Sequence, residues 1–233
     1  MRLTVVMTSY NEAKTVAKAF QSAKSIEVED KEIIVIDNNS SDGTKAILEE
    51  FAKKEPGIKF IFQDKTYYFS NSVQLGLKLA KGRYTYIHHA DDEYDYRDVP
   101  KMLEYAEKND LDILLGSRVK DLKGSKVKLL MQRPAYLATF ISTALINFWY
   151  KKKFTDIIGS RLYKTDAIIK VPVSTFNTGF DFESISRICK RGLKMDEIGI
   201  TYSPRLCHAD KKIKWYNMID GLVALFKVRY FEK

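Results

Sequence analysis

Four polar clusters hold most of the chemistry open to this chain: Thr8-Ser9-Tyr10-Asn11-Glu12, Asp37-Asn38-Asn39-Ser40, His89-Ala90-Asp91-Asp92-Glu93 and Gly116-Ser117-Arg118. The carboxylates of the third suit a hard divalent cation, Mg2+ or Mn2+. Asp91 is the strongest metal candidate there. His89 is a poorer ligand for Mg2+ but acceptable for Mn2+, and Glu93 supplies a further oxygen. Arg118, Arg133, Arg205 and Lys211 all lie in the second half of the chain, and guanidinium forks match phosphate oxygens. Asp181 and Glu183 flank Phe182 and would share a face of an extended segment. A carboxylate so placed can act as a general base toward a hydroxyl; the alternative is an acidic start to a helix through Ile185–Lys190. Histidines near these acids raise the question of zinc, but no spacing supports a closed site. His88 reads as a strand-end side chain without a role.

These clusters need elements to hold them together. Leu3–Thr8 is a short β-branched run, followed through Asn11-Glu12 by a helical stretch to about Ser25. Glu32–Asp37 has the pattern of a buried strand, and Ser40-Ser41-Asp42-Gly43 then caps a helix carrying Ile47, Leu48 and Phe51 on one face. Lys59–Phe62 predicts a strand, Ser72–Ala80 a helix stopped by Lys81-Gly82, and Tyr84–His88 a strand. A helix over Arg97–Lys108 and a strand over Asp112–Leu115 follow. This alternation predicts an α/β fold with a mostly parallel central sheet flanked by helices. Ligands of such sheets bind beyond the carboxyl ends of the strands, where all four clusters fall. No G-x-G-x-x-G follows the first strand and no G-x-x-x-x-G-K-[ST] occurs, which disfavours dinucleotide oxidoreductases and P-loop enzymes.

Across 233 residues, 45% are hydrophobic and 12% aromatic, enough for one large core and too much for general disorder. Cys189 and Cys207 read as free thiols in a reducing compartment. The net charge of +9 averages two unlike halves. Residues 1–110 carry 16 basic and 19 acidic side chains, net −3, whereas residues 111–233 carry 23 and 11, net +12. The basic half points to an anionic partner. No recognition helix, zinc ligand set or aromatic-basic strand signature accompanies it, so nucleic acid is not the expected one.

At the strand ends the chain resembles the inverting glycosyltransferases of family 2, which have the A-type nucleotide-diphospho-sugar fold. Ser9-Tyr10-Asn11-Glu12 is similar to that family's opening Tyr-Asn-Glu, and Ile34–Thr44 (IVIDNNSSDGT) to its "VVDDGSTDGT" segment. Lys81-Gly82-Arg83-Tyr84 with His89-Ala90-Asp91 is similar to its "GDYI…DAD" metal segment. Further on, the resemblance narrows toward polyprenyl-phosphate sugar synthases of the dolichol-phosphate mannose synthase type. It is carried there by Gly116-Ser117-Arg118, by Asp156 with Gly159-Ser160-Arg161-Leu162-Tyr163, by Gly179–Glu183 (GFDFE) and by Glu197–Arg205 (EIGITYSPR). The chain departs from the pattern at His89, where the family has Asp, at Asn38, the second place of its Asp-Asp pair, and by one residue after Asp156.

The resemblance implies a single domain over 1–233, with a nucleotide-sugar half (1–117) and an acceptor half (118–233). Nucleotide contacts would come from Ser9, Tyr10, Glu12, Asp37 and Asn39, with Asp37 accepting from a base N–H or, alternatively, capping its own turn. Asp91 would hold the metal at the diphosphate, with His89, Glu93 and His208 beside it. Arg118 and Arg133 would grip an acceptor phosphate, and Arg205 and Lys211 the diphosphate. Asp181 would be the base for a hydroxyl acceptor, or would orient an acceptor phosphate that needs none. The implied reaction is metal-assisted inverting transfer from a nucleotide-diphospho-sugar, preferably to a polyprenyl phosphate at the cytoplasmic face of a membrane. A sugar hydroxyl in cell-surface glycan assembly is the alternative acceptor, and a catalytically weak nucleotide-sugar binder the alternative class.

Pro134–Tyr150 is 17 residues without a charge, bracketed by Arg133 and Lys151-Lys152-Lys153. Thr139, Ser142, Thr143 and Asn147 gather on one side of a helical projection, and Leu137, Phe140, Ile141, Ala144, Leu145, Phe148 and Trp149 on the other. Two placements fit: a helix lying in a membrane interface, or a helix packed on the sheet. The stretch 118–133 reads as a lid, and Ile213–Tyr230 as a second aromatic, basic helix. Membrane contact is expected to be peripheral.

Overall fold

The structure is a computed structural model that describes residues 1–121, 136–172, 179–203 and 217–232. Its strands are β1 (Leu3–Ser9), β2 (Lys31–Asp37), β3 (Lys59–Phe62), β4 (Tyr84–His89), β5 (Ile113–Ser117), β6 (Ser160–Lys164) and β7 (Met195–Gly199). They form one sheet in the order β3-β2-β1-β4-β6-β5-β7. Only β6 runs against its neighbours, β4 and β5, so the sheet is mostly parallel, as the alternation predicts. The sequence reading missed β6 because Ser-Arg-Leu-Tyr-Lys has no run of β-branched residues. It is a strand through its place between two others.

Helices α1 (Val16–Lys24), α2 (Thr44–Lys54) and α4 (Val99–Lys108) cover one face of the sheet. Helices α3 (Phe69–Leu79), α5 (Tyr136–Tyr150), α6 (Thr165–Ile169), α7 (Gly179–Lys190) and α8 (Asn217–Tyr230) cover the other. The strands divide their side chains by simple alternation. Leu3, Val5 and Met7 of β1, Ile33 and Val35 of β2, and Leu114 of β5 enter the first layer. Val6, Ile34, Ile36, Ile113 and Leu115 enter the second. A strand buried on both faces must be apolar throughout, which is why the EIIVID segment reads so plainly.

The chain leaves β1, β2 and β4 through a residue in the left-handed region: Asn11 (φ 52°), Asn39 (φ 57°) and Asp92 (φ 57°). Asn and Asp tolerate this region better than other non-glycine residues. Three parallel strands thus end in sharp, polar turns on the same edge of the sheet.

Of the two settings stated for Asp181 and Glu183, the acidic start of a helix is the one found. Asp181 and Glu183 stand on α7, not on an extended segment. Two residues apart on a helix they point to different sides, Asp181 to Arg161 and Glu183 to Arg187.

Candidate functional site

The first two clusters are tied into one floor. In the parallel register Ser9 lies beside Asp37. Asp37 has no exposed surface. Its Oδ1 accepts from Ser40 Oγ (2.6 Å) and Ser9 Oγ (3.2 Å), and its Oδ2 from the Ser40 amide (2.9 Å). The Asn11 amide donates to Ser40 Oγ (2.9 Å), and Asn11 Oδ1 accepts from the Ser41 amide (2.8 Å). The Glu12 amide donates to Thr44 Oγ1 (2.8 Å). Asp37 therefore closes its own turn, and a base reaching it would have to displace Ser40. Asn38 binds the Tyr67 backbone through both ends of its amide, at 2.7 and 2.8 Å, and so places the segment before α3. Tyr10 stays exposed at the rim, while Glu12 and Asn39 are half-buried.

The third cluster fans out from β4. His88 is buried, with Nε2 3.0 Å from the Ala19 carbonyl oxygen. Burial pushes its ring down to about 4. It is neutral at pH 7 and fastens β4 to α1, so it does have a role, in the core. His89 stacks on Phe69 (5.4 Å) and lies 5.8 Å from the Tyr94 ring. Asp91 Oδ1 accepts from the Glu93 amide (3.3 Å). Asp92 turns away to Lys18 of α1 (2.6 Å). Glu93 Oε2 accepts from the Tyr202 hydroxyl (2.6 Å), which ties this loop to the segment after β7.

Among the described residues no three His, Cys, Asp or Glu side chains gather into a metal cage. Mg2+ and Mn2+ do not need one, because one or two carboxylates together with substrate phosphates suffice. Asp91, at the end of a central strand, fits that donor chemistry. His208 lies outside the described residues, as do Arg133, Arg205 and Lys211.

The second half contributes a buried network. Arg118, just past β5, meets Asp156 through Nε (2.7 Å), Nη2 (3.0 Å) and its own amide (3.1 Å). Its guanidinium also lies over the rings of Tyr136 (5.0 Å) and Tyr202 (5.5 Å). Burial alone would push the Asp156 carboxyl up, but the guanidinium and the amide donors hold it below the usual carboxylate range. Asp156 rests in turn on Glu197 of β7, whose Oε1 accepts from the Thr155 and Asp156 amides at 2.8 Å each. Gly159 makes the close approach possible: a Cβ there would sit 2.0 Å from the Gly116 carbonyl oxygen. Arg161 of β6 reaches Asp181 through Nη1 and the Ile157 carbonyl through Nη2 (2.7 Å). Asp181, Arg161, His89 and Phe69 line a small cavity between α3 and α7.

Of the residues singled out from sequence, Ser9, Asp37, Asp91 and His89 thus lie along one edge of the sheet, and His89 and Asp181 share a cavity. Asp156, Arg161, Glu197 and Tyr202 entered only within motifs that carry the resemblance and were given no role. A signal existed for Asp156, an acid set between Phe154 and Ile157-Ile158; a charge in so apolar a run needs a buried partner.

Residues 4–171 match the model of Glycosyl transferase family 2. Over 87% of its length the chain is 27% identical to a low-salt glycan biosynthesis hexosyltransferase of Haloferax volcanii, covering 48% of that protein. Over 77% of its length it is 26% identical to a cholesterol galactosyltransferase of Borreliella burgdorferi, covering 52% of it. The chain therefore spans about half the length of these two relatives. The glucosyl-3-phosphoglycerate synthase of Mycobacterium tuberculosis, solved with Mn2+, UDP and glucosyl-3-phosphoglycerate, superposes with a TM-score of 0.69 at 15% identity, over 98% of this chain and 80% of that one. S. aureus TarS with UDP-GlcNAc superposes with a TM-score of 0.60 at 15% identity, over 100% and 68%.

Proposed function

The chain belongs to glycosyl transferase family 2, and we propose that it moves a hexose from a nucleotide-diphospho-sugar, with inversion, to a polyprenyl phosphate at the cytoplasmic face of a membrane. One observation carries this reading: the ends of the parallel strands β1, β2 and β4 lie side by side and bring Ser9, Asp37 and the Asp91 loop to one edge. The nucleotide would lie over the β1–β2 floor, against Tyr10, with Glu12 and Asn39 toward the ribose. Asp37, bound to Ser9 and Ser40, fixes that floor. Asp91 would face the diphosphate and hold a divalent cation there, whose charge would stabilise the departing nucleoside diphosphate.

In a single displacement the acceptor oxygen bonds to the anomeric carbon as the bond to the diphosphate breaks, and the leaving group keeps the electron pair. A phosphate acceptor is already anionic and needs no base. Asp181, anchored by Arg161, would then orient the acceptor. Arg118 is committed to Asp156, so contact with the phosphates would fall to Arg133, Arg205 and Lys211.

A sugar hydroxyl is the second reading, favoured by Asp181 lining a cavity with His89 and Arg161, where it would serve as base. Incubation with labelled UDP-, GDP- and CDP-sugars, Mn2+, polyprenyl phosphate and oligosaccharide acceptors tests both. Label extracted into chloroform supports the lipid acceptor. Label passing only to oligosaccharides refutes it.

A further inference from the structure

We propose that the outward faces of α5 and α8 together form the surface by which this protein seats on an anionic lipid bilayer. Helix α5 buries polar side chains together with Tyr136, Ala138 and Ile146. Its polar residues Thr139, Ser142 and Thr143 are buried against the protein, while Leu137, Ile141, Ala144 and Phe148 face outward. On α8 the exposed apolar and aromatic residues are Ile219, Val223, Phe226 and Tyr230. Both sets follow the spacing i, i+4, i+7, i+11, one unbroken stripe on each helix. The stripes adjoin where Trp149 stacks edge-on against Phe226 (5.0 Å) and Tyr230 (5.8 Å). At that end Phe148 is 81% and Phe231 83% exposed. Side chains of this size in a contiguous patch mark an interaction surface.

Charge decides the occupant. Lys151, Lys153, Lys227 and Arg229 are exposed around the aromatic end, while α8 exposes one acid, Asp220, at its far end. Two copies meeting face to face about a two-fold axis through the aromatic end would crowd these cations together, whereas anionic headgroups neutralise them. Apolar stripe, aromatic edge and basic collar are the features of a helix pair lying in the headgroup plane. Neither helix is long and apolar enough to cross a membrane. The first turn of α5 also touches the candidate site, since Tyr136 and Thr139 contact Arg118. Seating this face would hold the site beside the bilayer. The inference rests on the lipid-phosphate reading only in expecting a membrane partner.

The test is flotation of the protein with phosphatidylcholine vesicles, with and without phosphatidylglycerol, and with the pair Phe148→Glu and Val223→Glu. The native chain should float with the anionic vesicles, less with neutral ones and less at high salt. The double variant should bind about tenfold more weakly or worse, with its circular dichroism and its thermal stabilisation by nucleotide sugar unchanged. Equal flotation of variant and native chain overturns the proposal. So does a native chain that stays in solution as a dimer which the variant splits, because a second copy then covers the face. Vesicle binding needs neither donor nor acceptor. Native flotation without any lipid-linked sugar product would therefore sink the acceptor assignment and leave this surface standing.

Discussion

The Arg118–Asp156 pair separates two roles that sequence alone leaves merged: a phosphate clamp and a buried pillar. Three hydrogen bonds of 2.7, 3.0 and 3.1 Å join the two residues. The Asp156 side chain has 0% of its surface exposed and that of Arg118 11%. Removing either partner strands the other's charge away from water, at a cost of about 3–5 kcal/mol. At this chain length that corresponds to a fall in Tm of roughly 6–20 °C for Asp156→Ala or Arg118→Met. Both substitutions break the same contact, so the double variant should cost less than the sum, with a coupling energy of about 2 kcal/mol or more. Urea unfolding of the four proteins measures it. The folded Asp156 carboxyl lies below its ordinary 3.8, so its contribution is whole above that pH and is lost as pH falls through the folded value. Asp156→Ala should lack that part of the acid-side loss. Additive costs, or an Arg118→Met protein of native stability with a raised KM for lipid phosphate, would show the guanidinium to be a phosphate ligand and refute the pillar.

Gly159→Ala should be among the most damaging single changes, because the new Cβ would sit 2.0 Å from a backbone oxygen; soluble yield and a thermal melt report it, and a native Tm would contradict the packing. Asp91→Ala should lower turnover about a hundredfold and abolish the response to Mn2+ in a metal titration. Asp181→Asn should cost under about tenfold with a phosphate acceptor and over about a hundredfold with a hydroxyl acceptor, so kcat on the two substrates distinguishes positioning from base catalysis. Ser40→Ala removes the 2.6 Å bond to Asp37 and should destabilise by about 1 kcal/mol, read from urea unfolding.

The legible parts of this fold were those whose physics is local. Ile33–Ile36 announces a strand buried on both faces, and the polar turns after β1, β2 and β4 announce the edge proposed above for the nucleotide sugar. What stayed hidden depends on distance. β6 is a strand only because β4 and β5 flank it, and Arg118 finds Asp156 across 38 positions. The periodicity of α5 separated its two sides correctly but could not say which faced in. Ordinarily the apolar side does. Here Thr143 Oγ1 accepts from the Ile157 amide (3.3 Å), and Asn147 binds the Phe154 backbone at 2.8 and 2.9 Å. The polar side is buried because the segment before β6 needs those partners.

The same geometry divides the labour within the basic half. Three of its described arginines are turned inward, Arg118 to Asp156, Arg161 to Asp181, and Arg187 to Glu183 and Glu232, while the exposed Arg191 and Arg229 lie on the Lys170 carbonyl and over the Tyr150 ring. Arginine suits such places because its planar fork is weakly hydrated and gives two bonds at once. The cations left to face solvent around α5 and α8 are mainly lysines, strongly hydrated point charges that attract a diffuse anionic surface better than they grip one phosphate. An excess of +12 therefore does not measure phosphate-binding capacity. Part of it stiffens the interior behind the candidate site, and among the described residues Lys151, Lys153 and Lys227 lie exposed beside the apolar face of α5 and α8, where the field of a charged bilayer would act on them.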